Sequence, residues 1–301
     1  MAESESTIPL YVLPVVGRGA AEVVPGNKST GAVRVRQWTP GGAKSEQAGQ
    51  YYSALCRALC SAEAKQTILN HLSLWKELGA EFAPKAAGAA SAESEYAIVV
   101  EDDNTVQPLL LQSAAALVGG MRAQQVHVLQ LREPLHAGVR AQTPLSGNPS
   151  AYVYPARLHA SLAAYIIHKP SAGRLHAEFL RSRVTAGLPL ELPRVERAQG
   201  LTRMVLAGSS EYVTHEFRLR NELRGREYGA SLRARAGAWL ARNYPQAYAA
   251  ATTPVFSLFG RVDVNVFGVL SVLFVLVLVV FDVQSRLAWL LVGVLASGLL
   301  Q

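Results

Sequence analysis

Cysteine is nearly absent: Cys56 and Cys60 are the only two in 301 residues. That scarcity excludes the disulfide framework of small secreted domains and a four-cysteine zinc site. The pair lies four residues apart on an expected helix. A bridge there closes only with strain, and no neighbouring His or Cys completes a metal shell. Two packed thiols are expected, with nothing pointing to an oxidising compartment. Charge is also scarce, at 17% of residues against a 50% apolar fraction, and much of that bias sits in the C-terminal tail. The first residues lack positive charge. Met1 to Thr7 contains Glu3 and Glu5, and the apolar run behind it, Ile8 to Val16, holds Pro9 and Pro14. This is not a secretory signal, so the N-terminal domain is expected to face the cytosol.

What charge there is has a bias, a net +7 at pH 7. Arg218, Arg220, Arg224, Arg226, Arg233, Arg235 and Arg242 cluster just before the apolar tail. An anionic partner follows, and that position favours anionic lipid head groups, with no nucleic acid expected. Within the segment Leu219, Leu223, Leu232 and Leu240 fall roughly on one face, which reads either as a helix packed on the domain or as a juxtamembrane collar.

Val264 to Phe281 is eighteen residues without charge, with Asn265 and Ser271 as its polar side chains. As a helix it would extend about 27 Å, close to the hydrocarbon thickness of a bilayer. Asp282 to Arg286 interrupts it, and Leu287 to Leu300 adds fourteen uncharged residues. A transmembrane helix or a helical hairpin is expected here, with Arg261 and the upstream arginines on the cytosolic side. The chain then divides into residues 1–215, a folded domain; 216–260, the basic segment; and 261–301, the membrane anchor.

In the first part, strand and helix alternate. Strands are expected at Ile8–Val16, Tyr96–Val100, Val126–Leu131, Ala151–Tyr154 and Ala163–Ile167. Helices are expected within Gln47–Leu78, over Val106–Arg122 and from Pro170 to about Arg183, and loops over residues 84–95 and 138–150. Alternation of this kind argues an α/β sheet with helices on both faces.

The strand Tyr96–Val100 runs directly into Glu101, Asp102 and Asp103. In an open α/β sheet, ligands bind at the carboxyl ends of strands. Three carboxylates there repel one another unless a cation or solvent relieves them. Alternation puts Glu101 and Asp103 on one side and Asp102 on the other, a spacing that suits a hard divalent cation shared with a diphosphate. The plainer reading is a solvated acidic turn that caps the next helix.

Asn70 to Leu78, followed by Tyr96 to Asp103, resembles glycosyltransferase family 25, the lipooligosaccharide and collagen galactosyltransferase relatives. Val126 to Leu131, Ser161 to Ile167 and Ser171 to Leu175 are similar to that family's later segments, in order. The resemblance covers roughly residues 50 to 215. It implies a GT-A, mostly parallel sheet and transfer of a hexose from a nucleotide sugar, a UDP-hexose, to a hydroxyl of a glycan, protein or lipid acceptor. Mn2+ or Mg2+ would be held by Glu101 and Asp103, with His215 completing the shell. Asp102 and His71 would stand at the nucleotide-sugar side, His71 orienting the site, and Glu191 would be the base. The chain departs from that pattern at Val16 to Gly19, Asn70, Ser161, Leu162 and Glu191. A second reading therefore keeps the fold without catalysis: a membrane-bound structural or scaffold protein, for instance in a large DNA virus particle with an internal membrane.

Overall fold

The computed structural model describes residues 7–25, 32–39, 49–60, 62–81, 94–132, 142–156, 160–185, 187–216, 244, 254–258, 262–283 and 285–297. The arginine cluster from Arg218 to Arg242, with the collar read there, lies outside the described residues, as does most of the 84–95 loop.

The chain begins with β1 (Ile8–Leu13), a short α1 (Ala20–Val23) and β2 (Val33–Gln37). Helices α2 (Ala54–Leu59) and α3 (Ala62–Glu81) follow, then β3 (Tyr96–Glu101), β4 (Asn104–Val106) and α4 (Pro108–Ala123). Next come β5 (Val128–Gln130), β6 (Thr143–Leu145), β7 (Asn148–Pro155), β8 (Ala164–His168), α5 (Lys169–Ser182) and α6 (Leu188–Ala198). The fold closes with β9 (Arg203–Leu206) and β10 (Val213–His215). Every residue of β1 and β3 is buried. Their unbroken apolar runs are those of strands covered on both faces.

Eight strands form one sheet in the order β2-β1-β3-β8-β5-β9-β7-β6. The sheet is mixed, which corrects the expectation of a mostly parallel one. Pairs β1–β2, β1–β3 and β5–β9 are parallel; β3–β8, β5–β8, β7–β9 and β6–β7 are antiparallel. The reason is local. β8 enters between β3 and β5 running the opposite way, and part of the expected 138–150 loop is a β6–β7 hairpin. Leu145 pairs with Asn148 across Ser146 and Gly147, and Gly147 has φ +74°. A two-residue Ser-Gly turn of this kind is the hairpin signal that the loop reading passed over.

Side chains alternate along each strand, so the sheet builds two cores. Ile8, Leu10 and Val12 of β1 face Leu110, Ala114 and Leu117 of α4. Tyr11 and Leu13 face the other way, into a core with Leu72 and Trp75 of α3, Phe179 of α5 and Leu192 of α6. Helices thus cover both faces, as expected.

Helices α3 and α5 cross at two glycines: a Cβ built on Gly79 lies 2.5 Å from the Gly173 Cα. Gly79→Ala must therefore push the helices apart. It is expected to destabilise the domain by about 1–3 kcal/mol despite alanine's better helix propensity, measurable by urea denaturation.

Cys56 and Cys60 form a disulfide, which corrects the expectation of packed thiols. Helix α2 ends at Leu59, and Cys60 is already extended with ψ 135°. The pair is therefore not held on one continuous helix, and the Cα atoms lie 4.7 Å apart.

At the C-terminal end, β11 (Pro254–Leu258) and β12 (Val262–Asn265) pair antiparallel. Helices α7 (Val266–Val280) and α8 (Arg286–Ser297) follow. The expected span Val264 to Phe281 is shortened, because Val264 and Asn265 are taken into the strand pairing and Asp282, with φ 46°, stops the helix. Fifteen residues make about 22 Å of helix. Among the described residues, no helix is long and apolar enough to cross a membrane.

Candidate functional site

The acids sit where β3 ends and the chain turns into β4. β1 and β3 are parallel neighbours with Leu13 opposite Glu101. The segment leaving β1 therefore meets the acidic turn. There the backbone N–H groups of Val15 and Val16 donate to Asp102 Oδ1 at 2.7 Å, and those of Gly17 and Arg18 donate to Oδ2 at 2.7 and 2.8 Å. Gly17 has φ +84°, the left-handed conformation that lets successive amides converge. The result is an anion nest occupied by the protein's own carboxylate. Arg18 closes over the turn, its guanidinium donating to the carbonyls of Asp102 at 3.3 Å and Glu22 at 2.9 Å.

Glu101 points to the opposite side, into a buried chain of hydrogen bonds. The Trp75 indole N–H donates to the Tyr165 hydroxyl at 2.9 Å, and that hydroxyl lies 2.8 Å from His71 Nδ1. His71 Nε2 lies 3.3 Å from Glu101 Oε1. Burial pushes the Tyr165 phenol far above its ordinary value, with the Trp75 hydrogen bond pulling the other way. The phenol therefore stays protonated and remains a donor.

Asp103 is held by its neighbour. Asn104 Nδ2 donates to Asp103 Oδ1 at 2.6 Å and to the carbonyls of Glu101 and Ala163 at 3.1 and 3.2 Å. β10 pairs with β4 so that His215 lies opposite Asn104. His215 Nδ1 is 3.1 Å from Asn104 Oδ1 and 3.7 Å from Asp103 Oδ2. The fold thus places His71 beside Glu101 and His215 beside Asp103. Glu191, on the first turn of α6, accepts from the Thr185 backbone N–H at 2.6 Å and pins the loop before its own helix. That is a positioning contact at a helix start, where a negative charge is favourable.

Asp102, expected at the nucleotide-sugar side, has both oxygens filled by backbone amides, and of the expected metal ligands Asp103 accepts from Asn104 at Oδ1. Among the described residues, no group of three or more His, Cys, Asp or Glu side chains is placed to hold a metal ion. No step through Mn2+ or a nucleotide sugar is derived from this arrangement. It is a polar keystone that ties β1, α3, β3, β8 and β10 together. Sequence reasoning missed the nest, whose only trace was the Gly-Arg-Gly run of residues 17 to 19.

A second group of ionisable side chains lies near the start of α5. His127 and His168 have ring centroids 6.1 Å apart, and His127 Nδ1 accepts from the Thr202 N–H. Burial lowers the pKa of both. Arg174 adds to this for His127; for His168, His127, Arg174 and Arg122 lower it while Glu95 opposes them. The folded protein therefore binds fewer protons than the unfolded chain just below the ordinary value of 6.5. Stability is full above that pH and is lost as the pH falls through the folded values. Melting temperature is expected to drop by a few degrees from neutral to about pH 5. In His127→Gln, that slope is expected to be shallower.

The described fold is an α/β domain on a mixed sheet with hydrogen-bonded acids at the end of β3, and an apolar helical pair follows it in the chain. The Poxvirus P35 protein family matches residues 27–300, and the chain belongs to this family. It is 29% identical over 266 residues to Envelope protein H3 of vaccinia virus (strain Copenhagen), covering 87% of this chain and 79% of that protein. It is 29% identical over 251 residues to the immunodominant envelope protein p35 of fowlpox virus (strain NVSL), covering 81% and 73%. Envelope protein OPG108 of monkeypox virus is 27% identical over 266 residues, covering 87% and 79%. This overturns the resemblance to glycosyltransferase family 25. The short matches that carried it, the His71–Trp75 helix and the Glu101–Asp103 turn, are parts of the hydrogen-bonded core described above.

Proposed function

We propose that this chain is a structural envelope protein of a poxvirus particle, a non-catalytic α/β domain held at the virion membrane through the apolar α7–α8 pair. The observation that carries the reading is the exposed apolar surface of those helices. Twelve large apolar side chains between Leu270 and Leu291 are exposed, Phe281 at 73% and Leu287 at 79%. Such a surface marks a partner or a membrane. At roughly 1 kcal/mol for each half-exposed side chain, covering it yields on the order of 10 kcal/mol. The internal use of the three acids supports a role without chemistry. The arginines from Arg218 to Arg242 adjoin this region in sequence, so anionic head groups are the expected lipid surface.

The test is flotation of the full chain with phosphatidylcholine–phosphatidylserine vesicles. The protein is expected to rise with the lipid. Leu273→Glu with Val277→Glu is expected to reduce the floated fraction at least tenfold, because each carboxylate opposes insertion by about 2–3 kcal/mol. Both side chains are about half exposed, at 52% and 49%, so domain melting should not change. A full chain that stays at the bottom of the gradient rules the reading out.

A further inference from the structure

We infer that His127 is an acid-released latch: its neutral ring holds the loop between α6 and β9 against the start of β5, and its protonated ring lets that loop go. One hydrogen bond of fixed direction carries this. The Thr202 backbone N–H donates to His127 Nδ1 at 3.1 Å. A backbone N–H is always the donor, so Nδ1 is bare and the neutral ring carries its proton on Nε2. A second proton then enters at Nδ1, the atom that Thr202 uses. Protonation turns the acceptor into a donor and sets two N–H groups against each other.

The bond lies at a joint of the sheet. The His127 and Val128 N–H groups both donate to the Thr202 carbonyl, at 3.0 and 3.1 Å. The His168 N–H donates to the His127 carbonyl at 2.9 Å. β5 is thus fastened to β9 on one side and to β8 on the other at this residue. Of the loop residues 199 to 202, only Leu201 is buried, so release uncovers little apolar surface.

The charged groups around the ring decide which way acid drives the joint. The His168 ring centroid is 6.1 Å from that of His127, and Arg174 of α5 acts on both rings. Arg122, at the end of α4, adds positive charge at His168, while Glu95, just before β3, acts the other way. That carboxylate is itself 3.9 Å from Arg122. Lys169 is engaged by Glu81 of α3 at 3.0 Å, and Arg203 of β9 by Glu196 of α6. An imidazolium among these cations is relieved when the loop opens and water reaches it, so the open arrangement binds the proton more tightly. Arg203, next to the latch, favours the same outcome. Its Nη1 is buried without a partner among the described residues, and an opening at Thr202 admits water to it. A local charge change thereby biases an element with two arrangements.

The experiment is hydrogen exchange of the full chain in nonionic detergent micelles at about pH 7.5 and about pH 5, either side of the histidine range. Rates are expressed against the unstructured rate at each pH. Protection over residues 126–130 and 199–206 is expected to fall at least tenfold at the lower pH, while β1 and β3 keep theirs. In His127→Asn the side-chain carbonyl stands where Nδ1 stood and accepts without titrating, so the fall is expected to vanish. A fall spread evenly over all strands, no fall, or an equal fall in His127→Asn each overturns the inference. Wild-type protein with threonine labelled in its backbone nitrogen gives a reading independent of that variant's folding. The Thr202 amide resonance is expected to titrate with the midpoint of the His127 ring; a Thr202 resonance that stays still as the ring titrates also overturns the inference.

Discussion

Asp102→Ala is expected to destabilise the domain by about 3–5 kcal/mol, a drop of roughly 10 °C in melting temperature. The carboxylate is fully buried and is the shared acceptor of four consecutive backbone N–H groups. Bonds to an ionised acceptor contribute about 1.5–3 kcal/mol each, and removing the acceptor leaves all four donors turned toward a void. Part of that loss is recovered because Val15, Val16 and Arg18 are only half-buried and Gly17 is exposed, so water reaches them. Asp102→Asn keeps one oxygen but directs an amide N–H₂ at two backbone donors, so it is expected to fall between wild type and alanine. Urea unfolding of the three proteins checks the order. Equal stabilities would mean that the nest contributes nothing.

Arg203→Ala is expected to cost a similar amount, about 3–5 kcal/mol. Arg203 on β9 and Glu196 on α6 form a buried bidentate pair, with Nε at 3.0 and 2.9 Å from the two carboxylate oxygens and Nη2 at 2.6 Å. Their side chains are 5% and 4% exposed. Removing the arginine strands a carboxylate in the interior. Arg203 Nη1 has no partner among the described residues, so the pair already carries one unsatisfied donor. The double replacement Arg203→Met with Glu196→Leu is accordingly expected to recover most of the loss, or all of it. A double-mutant cycle in denaturant measures this. If the double variant is as unstable as Arg203→Ala, lost packing rather than the stranded charge is responsible.

Much of the scaffold was legible because its signals are short-range. β1, β3 and β8 are short apolar runs bounded by turn residues, and α3 carries Ile68, Leu72, Trp75 and Leu78 at helical spacing. These periods follow from how Cβ atoms project from strand and helix, so they survive without knowledge of the partner. Strand direction did not survive. Nothing in Ala164 to His168 says that it runs against β3 and β5, because a strand buried on both faces looks the same read either way. The acidic site shows the same limit. Glu101, Asp102 and Asp103 were found at a strand end, but their use depended on what lay opposite. Val15 to Arg18 and His71 come from segments tens of residues away, and backbone amides have no side-chain signature.

By itself, the sequence determined that this chain has a buried α/β sheet with helices on both faces, a polar cluster at the end of β3, and an apolar C-terminal segment. These depend on composition and periodicity, which act over a few neighbouring residues. Only the tertiary structure decided that the sheet is mixed, that the carboxylates are taken up by the fold's own donors, and that the apolar segment divides into two short helices. Those outcomes depend on which distant groups come within hydrogen-bond reach of one another, a property of chain packing that no local pattern encodes.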